Sequence, residues 1–206
     1  MNVRWLGTEI DFSEALALQD GLVQARVRGE IPDTLLLLEH APVYTIGRIK
    51  DQSSLREISA LPHPVVEINR GGQATYHGPG QLVGYPIIDL RNHGRDLHAY
   101  LRSLEESLIL ALKELDVPAS RRDGLTGVWA DKRKLASIGV GVRKWISMHG
   151  FALNVTKASL AGFQSITPCG IADVTMTCVS SETAEEVTTE RLGERVSQKL
   201  QGLLGT

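Results

Sequence analysis

Apolar residues recur at helical spacing in three stretches, with short β-rich runs between them. Phe12, Ala15, Leu18, Leu22 and Ala25 follow Asp11-x-x-Glu14, which has the form of a capping box, and Arg28-Gly29 would end that helix. A second helix is predicted from about Leu97 to Leu115, capped by Asp96, with Leu97, Leu101, Leu104, Leu108 and Leu112 on one stripe. A third fits Thr189 to Leu204, carrying Leu192, Val196, Leu200 and Leu203. Strands are predicted at Thr34 to Glu39, Val65 to Asn69, and Leu82 to Leu90, the last interrupted by Gly84 and Pro86. Gly127 to Ala130, Lys134 to Val142 and Trp145 to Val155 follow as successive strands joined by tight turns. The order predicts an α+β fold, a sheet with helices packed against it.

Composition narrows the class without naming a function. The 206 residues carry no internal repeat, low-complexity tract or linker, so residues 1–206 are expected to form a single domain. A net charge of −2 predicts neither nucleic acid nor an acidic membrane as a partner. No basic region followed by an apolar block opens the chain, and its apolar runs are too short for a membrane span. Cys169 and Cys178 are too few for a disulfide framework, and neither forms a pair at zinc spacing. A cytoplasmic protein with no metal is expected.

The segment RGGQATYHGPGQ, Arg70 to Gln81, needs a reason for its four glycines. It lacks the lysine of a P-loop, and its GxGxxxG spacing precedes a strand rather than a helix, so a phosphate cradle fails. Two readings stay open. Gly-Pro-Gly turns a corner, or bare backbone lets an extended ligand approach beside Arg70, Thr75, His77 and Gln81.

Three further residue types could carry chemistry. Cys169, between Pro168 and Gly170, is either a nucleophile on a rigid turn or a small buried hydrophobe. Lys134 shares a strand face with Ala136, Ile138 and Val140; it is either a solvated turn lysine or a base drawn into a low-dielectric site. His77 and His149 could act as general bases or hydrogen-bond a carbonyl.

Three segments, RGGQATYHGPGQLVGYPIIDL, GVWADKRKLASIGVGVRKWISMHGFALNV and SITPCGI, together resemble the motifs of the lipoyl(octanoyl) transferases. The resemblance implies the biotin/lipoate protein ligase catalytic-domain fold, a mixed β-sheet flanked by helices. It implies transfer of an octanoyl group from acyl carrier protein to a lysine of a lipoyl domain, without ATP or another cofactor. The acceptors it implies are the lipoyl domains of 2-oxoacid dehydrogenase complexes and the glycine cleavage H protein. By the same resemblance Cys169 carries the acyl group and Lys134 is the catalytic lysine. Arg70, Gly71, Gly72, Gln73, Ala74, Thr75, Tyr76 and His77 would line the substrate pocket. So would Ser137, Ile138 and Gly139, with His149, Gly150 and Ala152. On this reading the glycines leave a channel for the acyl chain, walled by Tyr76 and His77. Cys178 stands where relatives carry a small residue such as Ser, and is expected to have no catalytic role.

Two rivals use the same residues differently. An ATP-dependent lipoate or biotin ligase would activate a free acid and would not need an acyl-cysteine. A non-catalytic module that holds an acyl chain would not need Cys169 and Lys134 together. Docking of acidic partners is expected to use basic residues such as Arg48, Arg70, Arg121, Arg122, Arg143 and Lys144.

Overall fold

A computed structural model describes residues 1–48, 53–55, 58–168 and 174–205. The first helix, α1 (Phe12–Val27), starts where the side chain of Asp11 accepts hydrogen bonds from the backbone N–H groups of Ser13 and Glu14. Asp96 does the same for α2 (Leu97–Lys113), accepting from His98 and Ala99. The last helix, α3 (Thr189–Leu204), begins at the Thr188 cap and ends at left-handed Gly205.

Eleven strands are described: β1 (Asn2–Trp5), β2 (Thr34–Leu38), β3 (Val43–Ile46), β4 (Val65–Glu67), β5 (Thr75–His77), β6 (Gln81–Ile87), β7 (Ala119–Arg122), β8 (Leu125–Ala130), β9 (Arg133–Arg143), β10 (Ile146–Asn154) and β11 (Thr175–Met176). The main sheet runs β1-β2-β6-β10-β9-β8-β7, with β11 added against β9. Its β1–β2 and β9–β11 pairs are parallel and the others antiparallel, so it is mixed. A small second sheet, β4-β3-β5, stands beside it.

Both faces of the main sheet are covered, which explains the unbroken apolar run of β2. Leu35 and Leu37 pack with Leu104, Leu108, Leu192 and Val196 of α2 and α3. Leu36 and Leu38, on the opposite face, join Val83, Tyr85 and Ala15 of α1. Strand alternation thus sorts one sequence run into two cores.

The small sheet departs from the sequence expectation. Part of the glycine-rich segment is strand: β5 pairs antiparallel with β3, Thr75 opposite Thr45 and His77 opposite Val43. Gly80 follows at φ +75°, a left-handed turn that feeds β6, where a Cβ would press on the Thr156 side chain. The segment is therefore both a corner and a wall.

Candidate active site

Strand β8 pairs with β9 only from Val128 to Ala130, with a register shift between Val128 and Trp129. Further along β9, the N–H of Gly71 donates to the carbonyl of Val140 at 3.2 Å. A cavity of about 400 Å³ lies here. The glycine-rich segment supplies Arg70, Gly71, Gly72, Thr75 and His77 to its wall; β9 and β10 supply Ser137, Ile138, Gly139, His149, Gly150 and Ala152. Leu97 and Leu101 of α2, with Leu125, make an apolar side.

Lys134 lies in the same wall and is 2% exposed, an unusual degree of burial for a lysine. Its Nζ sits 5.3 Å from the centre of the Trp129 ring, and its backbone carbonyl accepts from the N–H of Thr177 at 2.9 Å. Three expected wall residues are placed elsewhere. Tyr76 and Ala74 pack into a separate core with Tyr44, Leu55 and Phe163. Alternation along β5 turns Tyr76 away from the side that Thr75 and His77 share. Gln73 is not among the cavity's walls either. Cys169 and Gly170 lie outside the described residues. Cys178 is buried, its Sγ 3.2 Å from the Ser181 hydroxyl.

A buried hydrogen-bond network fixes the histidines. Gln81 donates its amide N–H groups to the Tyr76 carbonyl (3.1 Å) and to Asn154 Oδ1 (3.0 Å). Its Oε1 is therefore the acceptor facing His77 Nδ1 at 2.8 Å, so Nδ1 carries the proton. His77 Nε2 is left as an acceptor beside the Thr45 hydroxyl at 3.3 Å, and that hydroxyl accepts from Arg70 Nη2 at 2.9 Å. In His40, Nδ1 donates to the Ile10 carbonyl (2.9 Å) and Nε2 accepts from Tyr85 (2.6 Å). Burial, reinforced by the neighbouring His40 and Arg70, holds the His77 pKa down to about 3. Burial likewise lowers His40 to about 4. All three of these histidines are neutral at pH 7, because His149 is also lowered to about 4, by burial first and then by Arg70.

His149 differs from the other two. Its backbone is left-handed (φ +57°) and its N–H donates to Gln19 of α1 at 2.8 Å. Both ring nitrogens are buried without a hydrogen-bond partner, as is the Thr75 hydroxyl. Two residues of the cavity wall, a neutral imidazole and a hydroxyl, thus keep unused donor and acceptor capacity. His77 has its one N–H engaged by Gln81. Phe12, Tyr85 and Val140 also line the cavity. In the sequence they carry no signal beyond that of ordinary core residues, which is why motif reasoning passes over them.

Three docking candidates are tied down. Arg121 binds Glu105 (3.0 Å) and Glu106 (2.5 Å), and Arg122 stacks 4.8 Å from the Trp129 ring. Arg143 pairs with Asp20 at 3.1 Å. Among the described residues no cluster of three His, Cys, Asp or Glu could hold a metal ion, and no helix is long and apolar enough to cross a membrane.

Comparison with known proteins places this architecture. Solved structures share the fold at low identity. The bipartite lipoate protein ligase of Thermoplasma acidophilum, studied with its E2 lipoyl domain, superposes with a TM-score of 0.76 at 16% identity, covering 100% of this chain and 84% of that one. Biotin protein ligase from Aquifex aeolicus, in complex with biotin and ATP, gives 0.63 at 16%, covering 99% and 70%. Sequence relatives are much nearer. The octanoyltransferase of Geobacter metallireducens is 57% identical over 182 residues, 88% of this chain and 83% of its own. That of Syntrophotalea carbinolica is 50% identical over 206 residues, 100% of this chain and 95% of its own. Residues 11–201 match the lipoyl protein ligase A/B catalytic domain. The chain belongs to that family and, within it, to the octanoyltransferases.

Proposed function

We propose that the chain transfers an octanoyl group from acyl carrier protein, through a thioester on Cys169, to the acceptor lysine of lipoyl domains. The acceptors on this reading are those of 2-oxoacid dehydrogenase complexes and the glycine cleavage H protein. The observation that carries it is Lys134, almost fully buried in the wall of a cavity it shares with Arg70, Thr75, His77 and Ser137–Gly139.

The proposed cycle closes on itself. A Cys169 thiolate paired with the Lys134 ammonium attacks the donor thioester, and the departing carrier thiolate takes the lysine's proton. The neutral amine of the acceptor then attacks the acyl-enzyme and loses a proton to Lys134, while the Cys169 thiolate leaves. One thioester replaces another in the first half, so no ATP is needed. His149 and Thr75 supply hydrogen-bond capacity to a polar group of the bound substrate, and Leu97, Leu101 and Leu125 give an alkyl chain an apolar wall.

Intact-mass measurement after brief incubation with octanoyl-loaded carrier protein, without ATP, tests this reading. One octanoyl group, removed by hydroxylamine and missing in Cys169→Ala, is expected. No adduct, with octanoate and ATP instead modifying a lipoyl domain, would hand the site to the ligase reading; neither reaction would leave a binding module.

A further inference from the structure

We propose that Glu105 of α2 is a positioning residue for Lys134, acting through Gly127. This inference rests on the reading of Lys134 as the proton acceptor.

Glu105 is fully buried, a costly place for a carboxylate. Its Oε2 accepts from Arg102 Nη1 at 2.5 Å and from Arg121 Nε at 3.0 Å. Its Oε1 accepts the backbone N–H of Gly127 at 3.0 Å. That amide lies on β8 at the end of its pairing with β9, and a side chain from α2, not a neighbouring strand, holds it. Gly127 takes φ +131°, where a residue with a Cβ is strained. The Cβ would stand 3.0 Å from Lys134 Cε and 2.6 Å from the Ala136 carbonyl.

The lysine side chain therefore passes through a slot whose near wall is the bare Gly127 backbone and whose end is the Trp129 ring. Glu105 sets the width of that slot by drawing Gly127 toward α2. The register shift between Val128 and Trp129 is the local consequence in the ladder. If only helix–sheet cohesion were needed, apolar residues of similar volume would serve as well as a buried carboxylate between two arginines. A carboxylate oxygen aimed at one backbone N–H places β8 relative to the lysine.

The test compares Glu105→Ala, Glu105→Gln and Lys134→Ala with Glu105→Ala/Lys134→Ala. Glu105→Ala is expected to slow octanoyl transfer about tenfold or more, since small displacements of catalytic groups are costly. Glu105→Gln keeps an acceptor for the Gly127 N–H and is expected to recover most of that rate. In the Lys134→Ala background, Glu105→Ala should slow the residual rate by less than about twofold, because coupled residues are non-additive. Trace acetylation read by mass spectrometry gives a second measure, independent of turnover. Lys134 should change its pH-dependent reactivity in Glu105→Ala while Lys113 and Lys199 do not. An equal slowing with and without Lys134, or an unchanged Lys134 acetylation profile, overturns the proposal. If Glu105→Ala does not fold, Gly127→Ala, which presses on Lys134 from the same side, is read by the same acetylation profile, and an unchanged profile again overturns it. If Lys134→Ala alone transfers at the wild-type rate, it is the role of Lys134 that fails.

Discussion

The three neutral histidines beside the cavity make folding stability depend on pH well above the range where carboxylates titrate. Burial holds His40 and His149 at about 4 and His77 at about 3, against 6.5 for an unperturbed imidazole. The folded state therefore binds fewer protons than the unfolded chain between these values. Their stabilising effect is present above pH 6.5 and is lost as pH falls toward the folded values. From about pH 7.5 to about pH 5.5, each histidine costs about 1.3 kcal/mol as the unfolded form gains its proton, so the three together cost about 4 kcal/mol. That is a large share of the roughly 5–15 kcal/mol by which domains are stable, and corresponds to a melting point lower by roughly 10 °C. Urea unfolding at several pH values in this window measures the loss directly, and carbon-detected NMR of the imidazoles assigns it. Stability that changes by less than about 1 kcal/mol over the window would refute the argument. It would mean that these rings are solvated or already charged in the folded protein.

Other consequences follow from individual contacts. Glu39 accepts the Gly80 N–H at 2.6 Å and the hydroxyl of Thr189, so Glu39→Ala should cost about 2–3 kcal/mol in denaturant unfolding by leaving a buried turn and helix start unsatisfied. Gly80→Ala combines a left-handed φ with contact to Thr156 and should lower the melting temperature by several degrees, about 1–2 kcal/mol. Arg121→Glu sets a new carboxylate beside Glu105 and Glu106 and should lower the melting temperature more than Arg122→Glu. Arg122→Glu is accordingly the cleaner probe of docking: slower transfer with a weaker salt dependence is expected, and unchanged kinetics would take Arg122 out of the interface.

What the sequence discloses here depends on whether a signal is local. The three helices announce themselves through caps and stripes, and Asp11 and Asp96 hold the N-H groups that such caps should hold. The strand reading of Lys134 to Val142 places Lys134 beside an apolar face, and the lysine is indeed buried. The strands β3 and β5 are too short for periodicity to register, so the strand half of the glycine-rich segment stays hidden, and with it the rule that turns Tyr76 inward and His77 toward the cavity. Arg121 looks like a surface cation because its partners, Glu105 and Glu106, are sixteen and fifteen residues away. The unused nitrogens of His149 are a property of tertiary packing alone.

The same fold appears in proteins studied with ATP, at 16% identity, and in octanoyltransferases at about half identity. A shared sheet and helices therefore cannot choose between activating a free acid and accepting an acyl group that is already activated. The difference must lie in how few groups the transfer needs. A thioester donor arrives at the energy of the thioester it forms, so the protein has only to bring a thiol, a proton carrier and an alkyl slot together and exclude water. In this chain Lys134, the proton carrier on the proposed reading, is flanked by backbone: Gly127, whose N–H donates to Glu105, on one side, and the Thr177 N–H on the Lys134 carbonyl on the other. The Asn154–Gln81 pair ties that second hold to His77, because Asn154 donates to the Thr177 carbonyl at 3.0 Å. A lysine fixed from both sides by strands has little freedom to follow a mobile substrate. On the proposed reading the acyl donor and the lipoyl-domain acceptor bring their reacting atoms to it, and the tightness of the slot, more than the surface charge, should govern the rate of transfer.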